Sequence, residues 1–121
     1  MKALSLIQPY ASLIAIGKKT IETRAWSTKY RGKLLIVSSK KSVIKGIPYT
    51  GLLNFGLPFG KALAIAELID CRPMKTEDEE AAIHSYRPGL YAWILSNIKK
   101  IEQFPVRGQL KLFEVDYEEE S

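Results

Sequence analysis

The apolar stretches of this chain are short, and most are typical of strands rather than of a long helix. Glycine, proline or polar residues bound each of them. Strand-like and helix-like stretches do not alternate regularly, which argues against a doubly wound parallel sheet. With 121 residues, 46% of them hydrophobic, the chain is long enough for one core. We therefore predict one α+β domain over residues 1–117: a small, mostly antiparallel β-barrel of about six strands with two or three short helices, followed by an acidic tail at 118–121.

Two helices are predicted from their end signals. The first begins at Pro9, since a missing N–H costs nothing at a first helical position, and ends at the natural C-terminal cap Gly17. The second begins at Thr76 as N-cap, with Glu79 completing a capping box, and runs to about His84. The predicted strands are 2–7, 20–26, 33–38, 61–71, 90–95 and 109–117, with 99–104 as a further candidate, and 40–60 is predicted as a short helix and a long loop.

Positive charge is concentrated in the first part of the chain. The net charge is +5 with a pI near 9.3, which favours anionic partners. Glu22 is the only acidic residue before Glu67, whereas acidic runs lie later, at 77–80 and 118–120. We interpret those runs as a solvated loop or helix start and a frayed end. The basic region consists of Lys18, Lys19, Arg24, Lys29, Arg31, Lys33, Lys40, Lys41 and Lys45.

The remaining composition limits the classes of site that the chain can hold. Its single cysteine, Cys71, excludes an internal disulfide and a multi-cysteine metal site, and suits a reducing compartment. Polar residues interrupt any N-terminal signal peptide, and no stretch approaches the ~20 apolar residues needed to cross a bilayer. We predict a cytoplasmic protein that binds no membrane, metal or other cofactor.

Lys19, Glu22 and Arg24 are predicted to converge. On a strand, side chains at i and i+2 share a face, so Glu22 and Arg24 point the same way, and Lys19 lies at the turn that enters the strand. A carboxylate between two cations fixes the guanidinium by charge-assisted hydrogen bonds and leaves donors for a phosphate, a base edge or a carbonyl. The alternative is a surface ion pair worth ~0–1 kcal/mol and no site.

Glu67 is a second candidate acid. In the predicted strand 61–71 it shares a row with Leu63 and Ile65, and a carboxylate on an apolar row needs a partner or a raised pKa. Lys19 or Arg24 is the candidate partner. The alternative is a β-bulge that turns Glu67 to solvent.

These residues also form a recognisable pattern. Gly17, Lys19, Glu22 and Arg24 match the G-x-K-x-x-E-x-R signature of the ASCH (activating signal cointegrator homology) domain family, which this chain resembles. The resemblance extends to the opening S-x-x-Q-P-Y-A and to the later Y-R-G, G-L-Y-A-W and P-V-R-G stretches. These stretches fall within residues 4–11, 26–39, 89–93 and 105–110.

The resemblance implies a PUA-like β-barrel with a cleft beside it, lined by the signature residues and proposed to hold RNA. It also implies relatives that are enzymes: one branch deacetylates N4-acetylcytidine, and another cuts single-stranded RNA. The deacetylating branch has a threonine where this chain has Glu22, which argues against a direct transfer of that mechanism.

The predicted function is an RNA-binding module that holds single-stranded RNA or an unpaired base in a basic cleft. The alternative is a small hydrolase acting on RNA or a modified nucleoside, with Lys19 as base or nucleophile and Glu67 as proton shuttle. A third candidate is an accessory domain acting through protein contacts. Double-stranded DNA is disfavoured, since no predicted helix carries basic residues along one face.

The predicted ligand-binding residues are Lys18, Lys19, Glu22, Arg24, Trp26, Lys29, Tyr30 and Arg31. Among them, Trp26 and Tyr30 are base-stacking candidates. If the protein is an enzyme, the candidate catalytic residues are Lys19, Glu22 and Glu67.

Overall fold

Six strands and two short α-helices are formed by the residues that the computed structural model describes, 1–42 and 56–119. A single 3₁₀ turn precedes the second helix. The elements are β1 (Lys2–Gln8), α1 (Tyr10–Ala15), β2 (Ile21–Arg24), β3 (Gly32–Ser42), β4 (Lys61–Pro73), the 3₁₀ turn (Thr76–Asp78), α2 (Glu79–Ala82), β5 (Tyr91–Pro105) and β6 (Leu112–Glu114).

The six strands form one mixed sheet in the order β2-β5-β4-β3-β1-β6. Four of the neighbouring pairs are antiparallel, and β1 and β3 are parallel, which α1 and β2 allow because they form the crossover between them. The predicted mostly antiparallel, six-stranded architecture is therefore confirmed. The prediction of a closed barrel is not, because the described strands end at β2 on one side and β6 on the other. One side chain nevertheless spans from β2 to β1: the Arg24 Nη2 group donates to the Ser5 carbonyl at 2.8 Å.

Both faces of the sheet are covered. Helix α1 packs Ala11 and Ile14 onto one face, where the central side chain is Trp93. On the opposite face, Phe113 packs together with β3 and β4 residues, supported by the chain that follows it. Double coverage explains the unbroken apolar run in β4, since a strand buried on both faces has no polar row.

Several element boundaries differ from the prediction. Predicted strands 90–95 and 99–104 are one strand, β5, which accommodates Asn97 at φ +48° and three shifts of register against β4. The last strand is confined to Leu112–Glu114, and β3 continues to Ser42. The rest of the helix and loop predicted within 40–60 lies mostly outside the described residues.

The prediction that Thr76 is the N-cap of the second helix is wrong. The Lys75 N–H donates to the Asp78 carboxylate at 2.8 Å, whereas the Thr76 hydroxyl donates to Glu77. Arg72, at the end of β4, holds the same carboxylate with two hydrogen bonds of 2.8 and 2.9 Å. The carboxylate thus fixes the 3₁₀ turn, and the regular helix is shortened to the four residues of α2.

The Asp78–Arg72 pair predicts a loss of stability in acid. The hydrogen bonds from Arg72 lower the pKa of Asp78 from 3.8 to about 2. Because the folded state holds the carboxyl ionised, its contribution is present above about pH 4 and is lost as the pH falls toward 2. We expect Asp78→Asn to remove about 1–2 kcal/mol at neutral pH and to flatten the acid limb of urea-unfolding stability. The exposed Asp116→Asn is the matched control, and equal acid limbs in both variants would contradict the assignment.

Candidate functional site

The turn after α1 points Lys19 into the protein. Gly17 ends the helix at φ +80°, a left-handed conformation that glycine adopts without strain. The N–H groups of Lys18 and Lys19 then both donate to the Leu13 carbonyl, at 2.9 and 3.1 Å. This tight turn leaves Lys18 exposed and the Lys19 side chain only 1% exposed.

The Lys19 ammonium group lies among three partners. It donates to the Ala82 carbonyl at the end of α2, lies 3.4 Å from Glu22 Oε1, and stands 5.2 Å from the centroid of the Tyr10 ring. Burial lowers the pKa of Lys19, against the opposing effect of the Glu22 carboxylate. For the Tyr10 hydroxyl, burial and the charge of Glu22 both raise the pKa. The ammonium therefore joins α1, β2 and α2 at one buried point.

Glu22 connects this buried point to the surface. Its second oxygen, Oε2, accepts from Arg24 Nε at 2.9 Å, so each carboxylate oxygen faces one cation. Arg24 also donates to the Ser5 carbonyl, which fixes the guanidinium plane at two points. The predicted convergence of Lys19, Glu22 and Arg24 is observed, and the Lys19 and Glu22 side chains, at 1% and 10% exposure, are not a surface ion pair.

Glu67 lies elsewhere in the sheet. It is directly opposite Lys33 in the β3–β4 register. The pKa of Lys33 is raised first by its hydrogen bond to Glu119 and only to a smaller extent by the charge of Glu67. The register of β4 against β5 shifts between Ile65 and Glu67, as the bulge alternative predicted, and the side chain is half-buried. The structure therefore does not bring Glu67 to Lys19.

Of the other predicted ligand-binding residues, the two aromatic side chains pack against the core and the cationic ones lie at the surface. Trp26 is half-buried with its ring 4.8 Å edge-on to that of Trp93, and Tyr30 packs against the same core. Arg31 lies 3.6 Å from Asp70, and Lys29 is exposed. One face of the Trp26 ring is covered by Lys111, whose Nζ lies 5.8 Å from the ring centroid.

A cleft of about 620 Å³ opens beside Arg24. We call it the arginine–lysine cleft, because five of the described residues that line it are cationic and none of those described is acidic. Of the predicted ligand-binding residues, it includes Arg24. The lining residues are Ser5, Ile7, Arg24, Ser39, Lys40, Lys41, Gly60, Arg107, Gly108, Gln109, Leu110 and Lys111.

Arg107 and Lys111 were absent from the predicted site. They lie in the connection between β5 and β6, which approaches β1 so closely that a Cβ on Gly108 would meet Ser5 Oγ at 2.7 Å. The close approach requires glycine and brings both cations over the sheet. The P-V-R-G stretch was the available sequence signal, but only the folded path of this connection places it beside Arg24.

Comparison with known proteins agrees with this architecture. Residues 4–105 match the model of the ASCH domain. The chain belongs to the ASCH domain family. Its fold is accordingly PUA-like.

Two proteins named activating signal cointegrator 1, from Mus musculus and Homo sapiens, are relatives of this ASCH domain. Each is 30% identical over 127 aligned positions, which cover 93% of this chain and 22% of the relative. The chain thus spans about a fifth of the length of these relatives. Among solved structures, ASCH from Zymomonas mobilis superposes with a TM-score of 0.66 at 14% identity, covering 94% of this chain and 86% of that one, which supports the fold.

Across residues 1–42 and 56–119, no helix is both long and apolar enough to cross a membrane. In the same ranges, no group of three or more histidine, cysteine, aspartate or glutamate side chains is arranged to hold a metal ion.

Proposed function

We propose that this ASCH domain binds single-stranded RNA, or an unpaired base within RNA, in the arginine–lysine cleft. The observation that carries the proposal is five cationic side chains around one concavity with no carboxylate among its described lining residues. Such a surface attracts a phosphate backbone, and binding releases counterions from the RNA. Unpaired bases can turn out of the strand and be contacted by side chains, which is the usual route to specific RNA recognition.

Within the cleft, Arg24 differs from the lysines. Its guanidinium is held by Glu22 through Nε and by the Ser5 carbonyl through Nη2. Within residues 1–42 and 56–119 the Nη1 donors have no acceptor, and they would face a ligand. A pre-oriented planar donor suits a phosphate or a base carbonyl, whereas flexible lysines act as point charges. Arg24 would therefore orient the ligand, and Lys40, Lys41 and Lys111 would supply affinity with little sequence preference.

Lys19 and Glu22 support Arg24 instead of touching the ligand. Lys19 is 1% exposed, and its ammonium group is already bonded to the Ala82 carbonyl. The hydrolase alternative is not favoured, because its nucleophile or base would be this inaccessible amine and its proton shuttle, Glu67, lies beside Lys33.

The proposal is tested by salt-dependent RNA binding. A short labelled single-stranded RNA is titrated with the protein by fluorescence anisotropy from about 50 to 500 mM salt, and log K is expected to fall with a slope of about −0.7 per phosphate contacted. Arg107→Gln is expected to make the slope shallower by about 0.7 and to weaken binding about 5- to 10-fold at the lowest salt.

Arg87→Gln is the matched control, since Arg87 is an exposed arginine outside the cleft lining. It is expected to leave the slope unchanged. Equal losses in the two variants, or binding that does not respond to salt, would show that the cleft is not the RNA site.

A further inference from the structure

The chain from β6 to Glu119 packs against the face of the sheet opposite α1. We call residues 112–119 the C-terminal strap. Phe113, Val115 and Tyr117 occur at every second position and pack onto that face. The Tyr117 ring stacks on Phe104 with centroids 5.0 Å apart and planes inclined at 19°. Alternate strap residues therefore face the sheet, as in an extended chain.

Glu119 is the next residue in this alternation, and its carboxylate bridges two lysines. Oε1 binds the Lys33 ammonium group, and Oε2 lies 2.8 Å from Lys99 Nζ. The lysines come from β3 and β5, on either side of β4. These two bonds lower the pKa of Glu119 to about 2, so the carboxylate is ionised at neutral pH. The structure thus differs from the frayed end that the sequence predicted, at least as far as Glu119.

An anion between two ammonium groups from separate strands resembles a phosphate contact. Lys33 and Lys99 are both more than half exposed, at 54% and 59% for their side chains. Exposed ion pairs contribute little to stability and weaken with salt. A polyanion can displace the carboxylate, because the bond to Glu119 is weak while the anchoring of the strap rests on its aromatic residues.

We propose that Lys33 and Lys99 form a second phosphate-binding position for RNA, which Glu119 occupies until RNA displaces it. The position is distinct from the arginine–lysine cleft, whose lining includes neither lysine. This inference rests on the proposed function, because it assumes that the cleft engages RNA first. The strap would then act as an internal competitor that limits affinity for short RNA and yields to longer RNA.

The test compares Glu119→Gln with Glu118→Gln in the full chain. Both variants remove one negative charge from neighbouring positions, but among the described residues only Glu119 is ion-paired with Lys33 and Lys99. With a labelled single-stranded RNA at 50 mM salt, Glu119→Gln is expected to bind about 5- to 10-fold more tightly than wild type, and Glu118→Gln less than about 2-fold. A third variant, Lys33→Gln/Lys99→Gln/Glu119→Gln, is expected to lose the gain.

Each outcome bears on a different claim. If wild type binds RNA and the two glutamate variants gain equally, the second position does not exist and the cleft proposal stands. If the gain of Glu119→Gln persists in the triple variant, Lys33 and Lys99 do not bind the RNA and the inference fails. If neither wild type nor Glu119→Gln binds RNA at low salt, the proposed function itself fails. Thermal unfolding of each variant verifies that the fold is retained.

Discussion

Lys19→Met is expected to lower the free energy of unfolding by about 3 kcal/mol, which is large for a single lysine. Removing one partner of a buried ion pair leaves the other without compensation. Here the substitution leaves the Ala82 carbonyl without its donor and leaves Glu22 with Arg24 alone. Methionine keeps much of the side-chain volume, so the loss of stability measures the contribution of the ammonium group. Urea denaturation followed by tryptophan fluorescence measures it.

Lys18→Met provides a control at the adjacent position. Lys18 is exposed, and an exposed substitution of this kind changes stability by less than about 0.5 kcal/mol. If the two variants were equally stable, Lys19 would be a surface residue in solution, and the buried junction between α1, β2 and α2 would be wrong.

The double variant Lys19→Met/Glu22→Gln separates the ion pair from the packing. Removing both charges leaves no unpaired buried carboxylate, so the double variant is expected to be less destabilised than the sum of the single variants. Strict additivity of the two losses would mean that the 3.4 Å approach of Lys19 to Glu22 carries no coupling.

The meeting of Lys19, Glu22 and Arg24 could be predicted because it depends on local geometry. A turn followed by an i, i+2 pair on one strand is sufficient to bring them together. The burial of Lys19 could not be predicted from the sequence. It depends on the Ala82 carbonyl, 63 residues further along the chain, and on the ring of Tyr10. Local pattern therefore identified the cluster, and long-range packing decided which of its members a ligand can touch.

The arginine–lysine cleft could not be predicted from the sequence for the same reason. Arg107 and Lys111 carry no periodic signal, and their position depends on how closely Gly108 lies against Ser5. Similarly, the residues of β5 contain a polar interruption that predicts two strands, whereas bulged pairing with β4 lets one strand continue through Asn97. The other five strands and the first helix depended on local signals and were predicted.

Trp93→Ala is expected to have the other large effect, about 3–5 kcal/mol of lost stability. The side chain is 0% exposed, and its ring meets Trp26 edge-on. Its Nε1 group donates to the Trp26 carbonyl at 3.3 Å, just beyond β2. Trp93 lies directly opposite Glu22 in the β2–β5 register, so it supports the short edge strand that positions both Glu22 and Arg24.

The same variant links the core to the proposed site, because β2 has only four residues and Trp93 lies opposite one of them, Glu22. Loss of the indole would free Arg24 from its fixed orientation, so RNA affinity should fall under conditions where the variant is still folded. Trp93→Phe keeps an aromatic ring but not the N–H donor, and we expect an intermediate loss of stability. Tyr86→Ala, at an exposed aromatic outside the core, should cost less than about 0.5 kcal/mol. A Trp93→Ala variant as stable as Tyr86→Ala would mean that β2 is held without this side chain, and the support assigned to Trp93 would have to come from elsewhere in the sheet.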